Sequence, residues 1–243
     1  MARPVELRLQ QNRLISSLRT ADSKLLSPLL QPVELGLEKV LNMPNKLIKH
    51  VYFPTSGIVS VVTASSRKRQ IEVSMIGREG MTGVNVLLGE NRSPHAAYVQ
   101  IAGQGLRANV RDLRKVLDKS ESLRENLLRF AQTWMVQKAY TALAVSQGKI
   151  EERLARWLLM AHDRLDGAEL PVTHARLAEV LCVQRTGVTA ALNGLKRRKF
   201  IELRRGAIAI RNRARLEAVA KGLYGTPEAE YRRIFGRHSK TRR

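Results

Sequence analysis

The chain has 243 residues, 44% of them hydrophobic, enough to close two modest cores. Its 43 Lys and Arg against 21 Asp and Glu leave a net charge of +22, which calls for an acidic partner, nucleic acid before an anionic membrane. No apolar run approaches the roughly 20 residues that span a bilayer, the N-terminal MARPVELRLQQNRLISSLRT lacks the apolar stretch of a secretory signal, and one cysteine excludes an internal disulfide or a cysteine-held cluster, so a cytoplasmic protein without membrane partner or cofactor is expected.

Residues 1–20 read as a helical arm, and 21–43 as a short helix interrupted by Pro28 and Pro32. From residue 45 the texture changes. His50–Pro54, Gly57–Val62, Ile71–Ile76 and Ala97–Ile101 are short β-rich runs punctuated by Gly, Pro, Asn and Ser. That spacing predicts a small antiparallel barrel or roll over 21–110.

Helical texture returns from 110 to 165. Leu123, Leu127, Phe130 and Trp134 recur at steps of four and three, and Gln137, Thr141 and Ala144 continue the register with weaker residues. Met135, Ala139, Ala142 and Val145 offer a second small or apolar edge. A connecting helix over 111–148 with two such edges is expected to pair two subunits, with the Leu123–Trp134 stripe as the seam; packing of the helix wholly against the roll is the alternative. Gly148 marks a break, after which Glu151 to His162 form a helix burying Leu154, Trp157, Leu158 and Ala161.

Residues 149–222 carry the densest signal. Thr173 caps a short helix striped by Leu177, Val180 and Leu181. Leu181-Cys182-Val183 breaks it. In the next helix Val188, Ala191, Leu192 and Leu195 face inward, while Thr186, Thr189, Ala190, Asn193 and Arg197 face out, with Gln184 and Arg185 at the N-terminal end. Phe200–Leu203 and Ala207–Ile210 then alternate around Arg205-Gly206, a hairpin. This is a helix-turn-helix with a wing, whose second helix enters the DNA major groove. From Arg185 to Arg215 stand ten Lys or Arg and one acid, Glu202. A phosphate backbone rewards such a run through charge attraction and counterion release; a solvated basic face is the bland alternative. Thr173, Gln184, Arg185, Thr186, Thr189, Asn193, Lys196, Arg197, Lys199 and Arg205 are the expected DNA contacts. From Asn212 the chain is basic, with short helical stripes at Leu216, Val219 and Leu223 and at Tyr231, Ile234 and Phe235; 223–243 is the basic tail, and Gly236 to Arg243 are expected to fray.

A β-roll, a long helix and this winged helix-turn-helix resemble the family of the cyclic-AMP receptor protein and the Fnr regulators over residues 21 to about 220. Val183-Gln184-Arg185-Thr186-Gly187-Val188-Thr189, with Leu192 and Leu195, resembles its recognition helix. The resemblance places Arg185 on the family's base-contacting arginine, a residue type that pairs with guanine O6 and N7. Cys182 stands at the family's turn glycine, a departure that implies backbone strain. Gly77–Gly83 through Ser93–Val99 resembles the family's phosphate-binding cassette. The family's ribose-holding Glu and phosphate-holding Arg-Ser or Arg-Thr pair are replaced by Met81, His95 and Ala96, so Gly80, Met81, His95 and Ala96 outline a degenerate nucleotide pocket. The Fnr cysteines are absent.

His50, His95, His162, His174 and His238 show no metal-ligand spacing. Ser56-Gly57 and Ser93 lack partners for nucleophilic catalysis. Cys182 reads as a small core filler, with a redox role near Arg185 as the alternative. The expectation is an α+β protein: a cyclic-nucleotide-binding-like β-roll, a dimerisation helix and a winged helix-turn-helix. It is not an enzyme. It is expected to act as a homodimeric, sequence-specific transcriptional regulator on double-stranded DNA, with RNA polymerase and an unidentified small-molecule effector as further partners. The alternative is a constitutive architectural nucleic-acid-binding protein.

Overall fold

A computed structural model describes residues 9–64 and 70–236. The N-terminal half is a roll of two antiparallel sheets. One has the order β1 (Gln31–Leu35), β7 (Gly103–Asn109), β3 (His50–Pro54). The other runs β2 (Val40–Asn42), β6 (Ala96–Ile101), β4 (Ile58–Ala64), β5 (Gln70–Ile76). The inner faces bury Phe53, Val59, Val61, Ile76 and Leu106 in one core.

Three of these strands escape the sequence pattern. β1 contains Pro32, read above as a helix breaker, but β1 is an edge strand, where a missing N–H costs no ladder bond. β2 has only three residues. β7, GQGLRAN, has little apolar alternation because its glycines answer backbone proximity: a Cβ on Gly103 would lie 2.4 Å from the Ser56 backbone.

The N-terminal segment is not a free arm. α1 (Arg13–Ser16) buries Leu14 and Ile15 in the roll's core, and the Asn12 amide donates to the carbonyls of Pro54 and Gly80 at 2.8 and 2.9 Å. Met1–Arg8 lie outside the described residues. α2 (Thr20–Leu26) ends in a 3₁₀ turn over Ser27–Leu29.

Between β5 and β6 lies the single-turn helix α3 (Val84–Leu87). α4 (Val110–Lys119) leads to the long helix α5 (Glu121–Gln147), and Ser120 starts α5 by accepting from the Leu123 N–H at 3.2 Å. The stripe Leu123, Leu127, Phe130 and Trp134 is buried within the same chain, against the roll. The expected seam is therefore corrected: the roll, not a second subunit, covers these side chains. Gln137, in the same register, closes the exposed edge of β5. Its amide accepts from the Met75 N–H at 2.8 Å and donates to the Met75 carbonyl at 3.1 Å. The second edge stays outside: Met135, Ala139, Ala142 and Val145 are exposed, and Leu128, Gln132 and Ser146 join Met135, Ala139 and Ala142 in an exposed row at alternating steps of four and three.

Gly148 ends α5 and α6 (Ile150–Arg164) follows, burying Leu154, Trp157, Leu158 and Ala161 as expected. The C-terminal core is continuous with the roll, since Ile58, Met75 and Ile101 pack into it. α9 (Arg213–Val219) and α10 (Thr226–Phe235) finish the described chain, and α10 returns to the roll to bury Phe235. Gly236 ends that helix; the remainder of the stretch expected to fray, 237–243, lies outside the described residues. No helix among the described residues is long and apolar enough to cross a membrane.

Candidate nucleic-acid interface

α7 (His174–Leu181) begins at Thr173, whose hydroxyl accepts from the Arg176 N–H at 3.2 Å. The helix buries Leu177, Val180 and Leu181. It stops because Cys182 turns left-handed, at φ 52 and ψ 49, with its N–H on the Glu179 carbonyl at 3.0 Å. An L-residue there costs about 1–2 kcal/mol. Cys182 is exposed, so it is not the core filler expected; it occupies the left-handed position that ends α7.

Gln184 then extends the chain for one residue and α8 (Arg185–Arg197) begins. Val188, Leu192 and Leu195 are wholly buried, while Arg185, Thr186, Ala190, Asn193, Lys196 and Arg197 are exposed. Ala191 and Thr189 are half-buried, and the Thr189 hydroxyl lies 3.1 Å from His174 Nδ1. The helix closes on Lys199 at φ 60, with the Phe200 N–H donating to the Leu195 carbonyl at 3.0 Å. This resembles the paired 5→2 and 6→1 bonds that satisfy terminal carbonyls. β9 (Ile201–Arg204) and β10 (Ala207–Ile210) form the wing, in register Arg204↔Ala207. Arg205-Gly206 make its two-residue tip, where Gly206 supplies φ 72. A third strand, β8 (Glu169–Leu170), pairs with β10.

The basic run divides into two groups. Arg198 pairs with Glu151, Arg204 with Glu169 and Glu202, Arg211 with Glu202, and Arg213 with Asp163 and Glu217. Arg185, Lys196, Arg197, Lys199 and Arg205 are exposed and form no ion pair among the described residues. Four arginines of the run are thus neutralised, while the cations on the exposed side of α8, at Lys199 and at the wing tip, together with the exposed Arg215 of α9, have no ion pair among the described residues.

Sequence reasoning did not single out Arg176. It bridges Glu179 and, across to the roll, Glu38 at 2.7 Å. Beside that bridge is a cleft of about 790 Å³ between the turn and the roll, lined by Gln184, Cys182, Tyr98 and Glu72.

The expected nucleotide pocket does not come together. Gly80 is covered by the Phe130 ring, whose nearest atom would be 2.2 Å from a Cβ there, and Met81 is buried in the core. His95 and Ala96 border a different cavity, with Thr82, Ser93 and Trp134, of only about 20 Å³. Ligand pockets usually enclose about 300–1,000 Å³. Lys138, which the sequence did not assign, stands 3.3 Å from His95 Nε2 and 3.9 Å from the Trp134 ring centre. Burial, then the Lys138 charge, holds His95 below the usual histidine range, and burial lowers Lys138 too.

Residues 152–219 match the Crp-like helix-turn-helix domain. Among curated proteins none matches the chain. Solved structures share the fold across most of the chain. FixK2 from Bradyrhizobium japonicum is 17% identical, covering 78% of this chain and 96% of its own, with a TM-score of 0.69. A candidate Crp/Fnr-family transcriptional regulator from Eubacterium rectale is 18% identical, covering 86% and 98%, with a TM-score of 0.65. A CRP-family transcriptional regulator from Thermus thermophilus is 20% identical, covering 78% and 97%, with a TM-score of 0.63. Residues 152–219 are thus a Crp-like helix-turn-helix domain, and the chain has the fold of these Crp/Fnr-type regulators.

Proposed function

We propose that the protein is a sequence-specific DNA-binding transcriptional regulator that reads a two-fold operator as a homodimer. The observation that carries this reading is the division of the basic run. Arg185, Lys196, Arg197, Lys199 and Arg205 remain exposed and without ion pairs among the described residues on α8 and the wing, while Arg198, Arg204, Arg211 and Arg213 are neutralised internally. An exposed guanidinium at the first residue of α8 suits a guanine edge. Thr186, Thr189 and Asn193 supply hydrogen-bonding groups along the same helix. Lys196, Arg197, Lys199 and Arg205 serve the phosphates, and Thr173, at the N-terminus of α7, can meet a phosphate beside its cap.

Crp/Fnr regulators bind DNA and act as dimers. The exposed row Leu128, Gln132, Met135, Ala139, Ala142 and Ser146 supports the same arrangement here, because a 4-3 repeat that is mostly small or apolar, with one polar position at Gln132, suits a helix-pairing seam. The small cavity at His95 and Ala96 supports a degenerate nucleotide site: the protein does not respond to cyclic AMP or cyclic GMP. The domain limits proposed are 21–110 for the roll, 111–148 for the connecting helix and 149–222 for the DNA-binding domain.

Selection of bound fragments from random DNA, followed by footprinting, tests the reading. The expected result is a short palindromic footprint with half-sites about one helical turn apart. Uniform coverage of any duplex would favour the architectural alternative.

A further inference from the structure

We propose that the cleft between α10, α5 and the end of α6 binds a small aromatic carboxylate. Its volume is about 500 Å³, against about 20 Å³ at the collapsed nucleotide position, and lies inside the usual ligand range of about 300–1,000 Å³.

Its walls choose the chemistry. Phe130 and Trp134 of α5 face it together with Tyr224 and Tyr231 of the C-terminal tail, which suits a flat ring.

The charges set the anion. Three lining arginines are already matched: Arg78 to Asp166, Arg164 to Glu79 at 2.8 Å and Arg213 to Asp163 at 2.8 Å. Arg13 and Arg232 line the same cavity, are exposed, and form no ion pair among the described residues. The remaining lining carboxylate, Glu228, accepts the Gly225 N–H at 2.8 Å. Five guanidiniums against four carboxylates give a lining charge of +1, which fits one carboxylate better than a phosphate dianion or an amine. His162 does not alter that count, because burial, then the Arg213 charge, keeps it below the usual histidine range. A planar guanidinium meets a carboxylate through two parallel hydrogen bonds.

Its consequence rests on the regulator reading. The lining comes from the roll's Arg78-Glu79 loop, the end of α6 and α10, which are themselves tied by the Tyr231 hydroxyl donating to the Glu79 carbonyl at 2.9 Å. A ligand that prefers one arrangement of these parts shifts DNA affinity by its difference in affinity for the two.

Calorimetry on the full chain without DNA, with benzoate, 4-hydroxycinnamate and indole-3-acetate as probes, tests the site independently of any operator. At least one acid is expected to saturate the protein with a Kd below about 1 mM. For an indole-3-acetate hit, indole-3-acetamide is expected to bind about tenfold more weakly, and the Arg13→Ala/Arg232→Ala double variant to weaken any acid about tenfold with Tm unchanged, the scale of a lost charge-assisted bond. No saturation by any of the three acids at about 5 mM, equal affinity for acid and amide, or an unchanged Kd in the double variant overturns the proposal. A footprint on the operator is unaffected by any of these results, so the two readings fail separately.

Discussion

Arg185 is the residue on which base reading turns. It opens α8, is exposed and has no ion pair among the described residues. Arg185→Ala is expected to cost about 1–3 kcal/mol on the cognate operator and nothing comparable on random DNA. Titrations of both duplexes check this, and equal losses would mean a phosphate contact instead. Glu72 makes a separate claim about pH. Its buried carboxyl accepts from the Ser60 hydroxyl at 2.5 Å and the Trp157 indole at 2.9 Å, and burial raises it to about 7. The folded state therefore keeps a proton that the unfolded chain releases. Stability falls as pH rises from about 4.5 through about 7. Glu72→Gln removes that titration, so wild type should lose about 2–3 kcal/mol more than the variant between about pH 5 and pH 8 in urea unfolding. Parallel pH curves for the two proteins would show that Glu72 stays ionised.

At the scale of elements, α5 shows what a sequence can and cannot carry. Its period identified Leu123, Leu127, Phe130 and Trp134 as one apolar stripe, and all four are buried. Periodicity says that a face is covered but not by what, and the roll covers it. The second edge was visible through Met135, Ala139 and Ala142, but small residues give a weaker signal than Phe and Trp. The helix-turn-helix was legible almost residue by residue, because caps, turn and stripe are local. The hairpin at Arg205-Gly206 was legible for the same reason. β7 and the N-terminal clamp were not, since Gly103 answers to the Ser56 backbone and Asn12 to the Pro54 and Gly80 carbonyls, all distant in sequence. What occupies the Gly80–Ala96 region was illegible for a related reason: the Phe130 ring over Gly80 and the Trp134 side chain beside Ala96 come from α5. Two variants on α5 should therefore behave differently. Phe130→Glu should cost at least about 3–5 kcal/mol, the scale of emptying a core aromatic site, and yield little folded protein. Met135→Glu, on the exposed edge, should keep its Tm as a monomer but sediment as one chain where wild type sediments as two. A Met135→Glu protein that remains dimeric would exclude this edge as the seam.

For the whole molecule, the DNA-binding part and the roll are joined through one core and by buried charge. Arg164, 6% exposed, reaches Glu79 at 2.8 Å. Removing one partner of a buried pair typically costs about 3–5 kcal/mol, so Glu79→Ala should lower stability on that scale, as read by denaturant midpoint. A loss under about 1 kcal/mol, the level of a surface pair, would show that the two parts are not held there. The +22 charge alone would give affinity for any nucleic acid. What separates a regulator from an architectural protein is the excess affinity for one sequence, and the measurement that reads it is the Kd on a selected operator and on a random duplex of equal length, each taken from about 50 to 200 mM salt. The expected result is a steep salt slope on both duplexes, with the operator bound at least about 10³-fold more tightly throughout. Equal affinity for the two duplexes at every salt concentration would contradict sequence-specific reading.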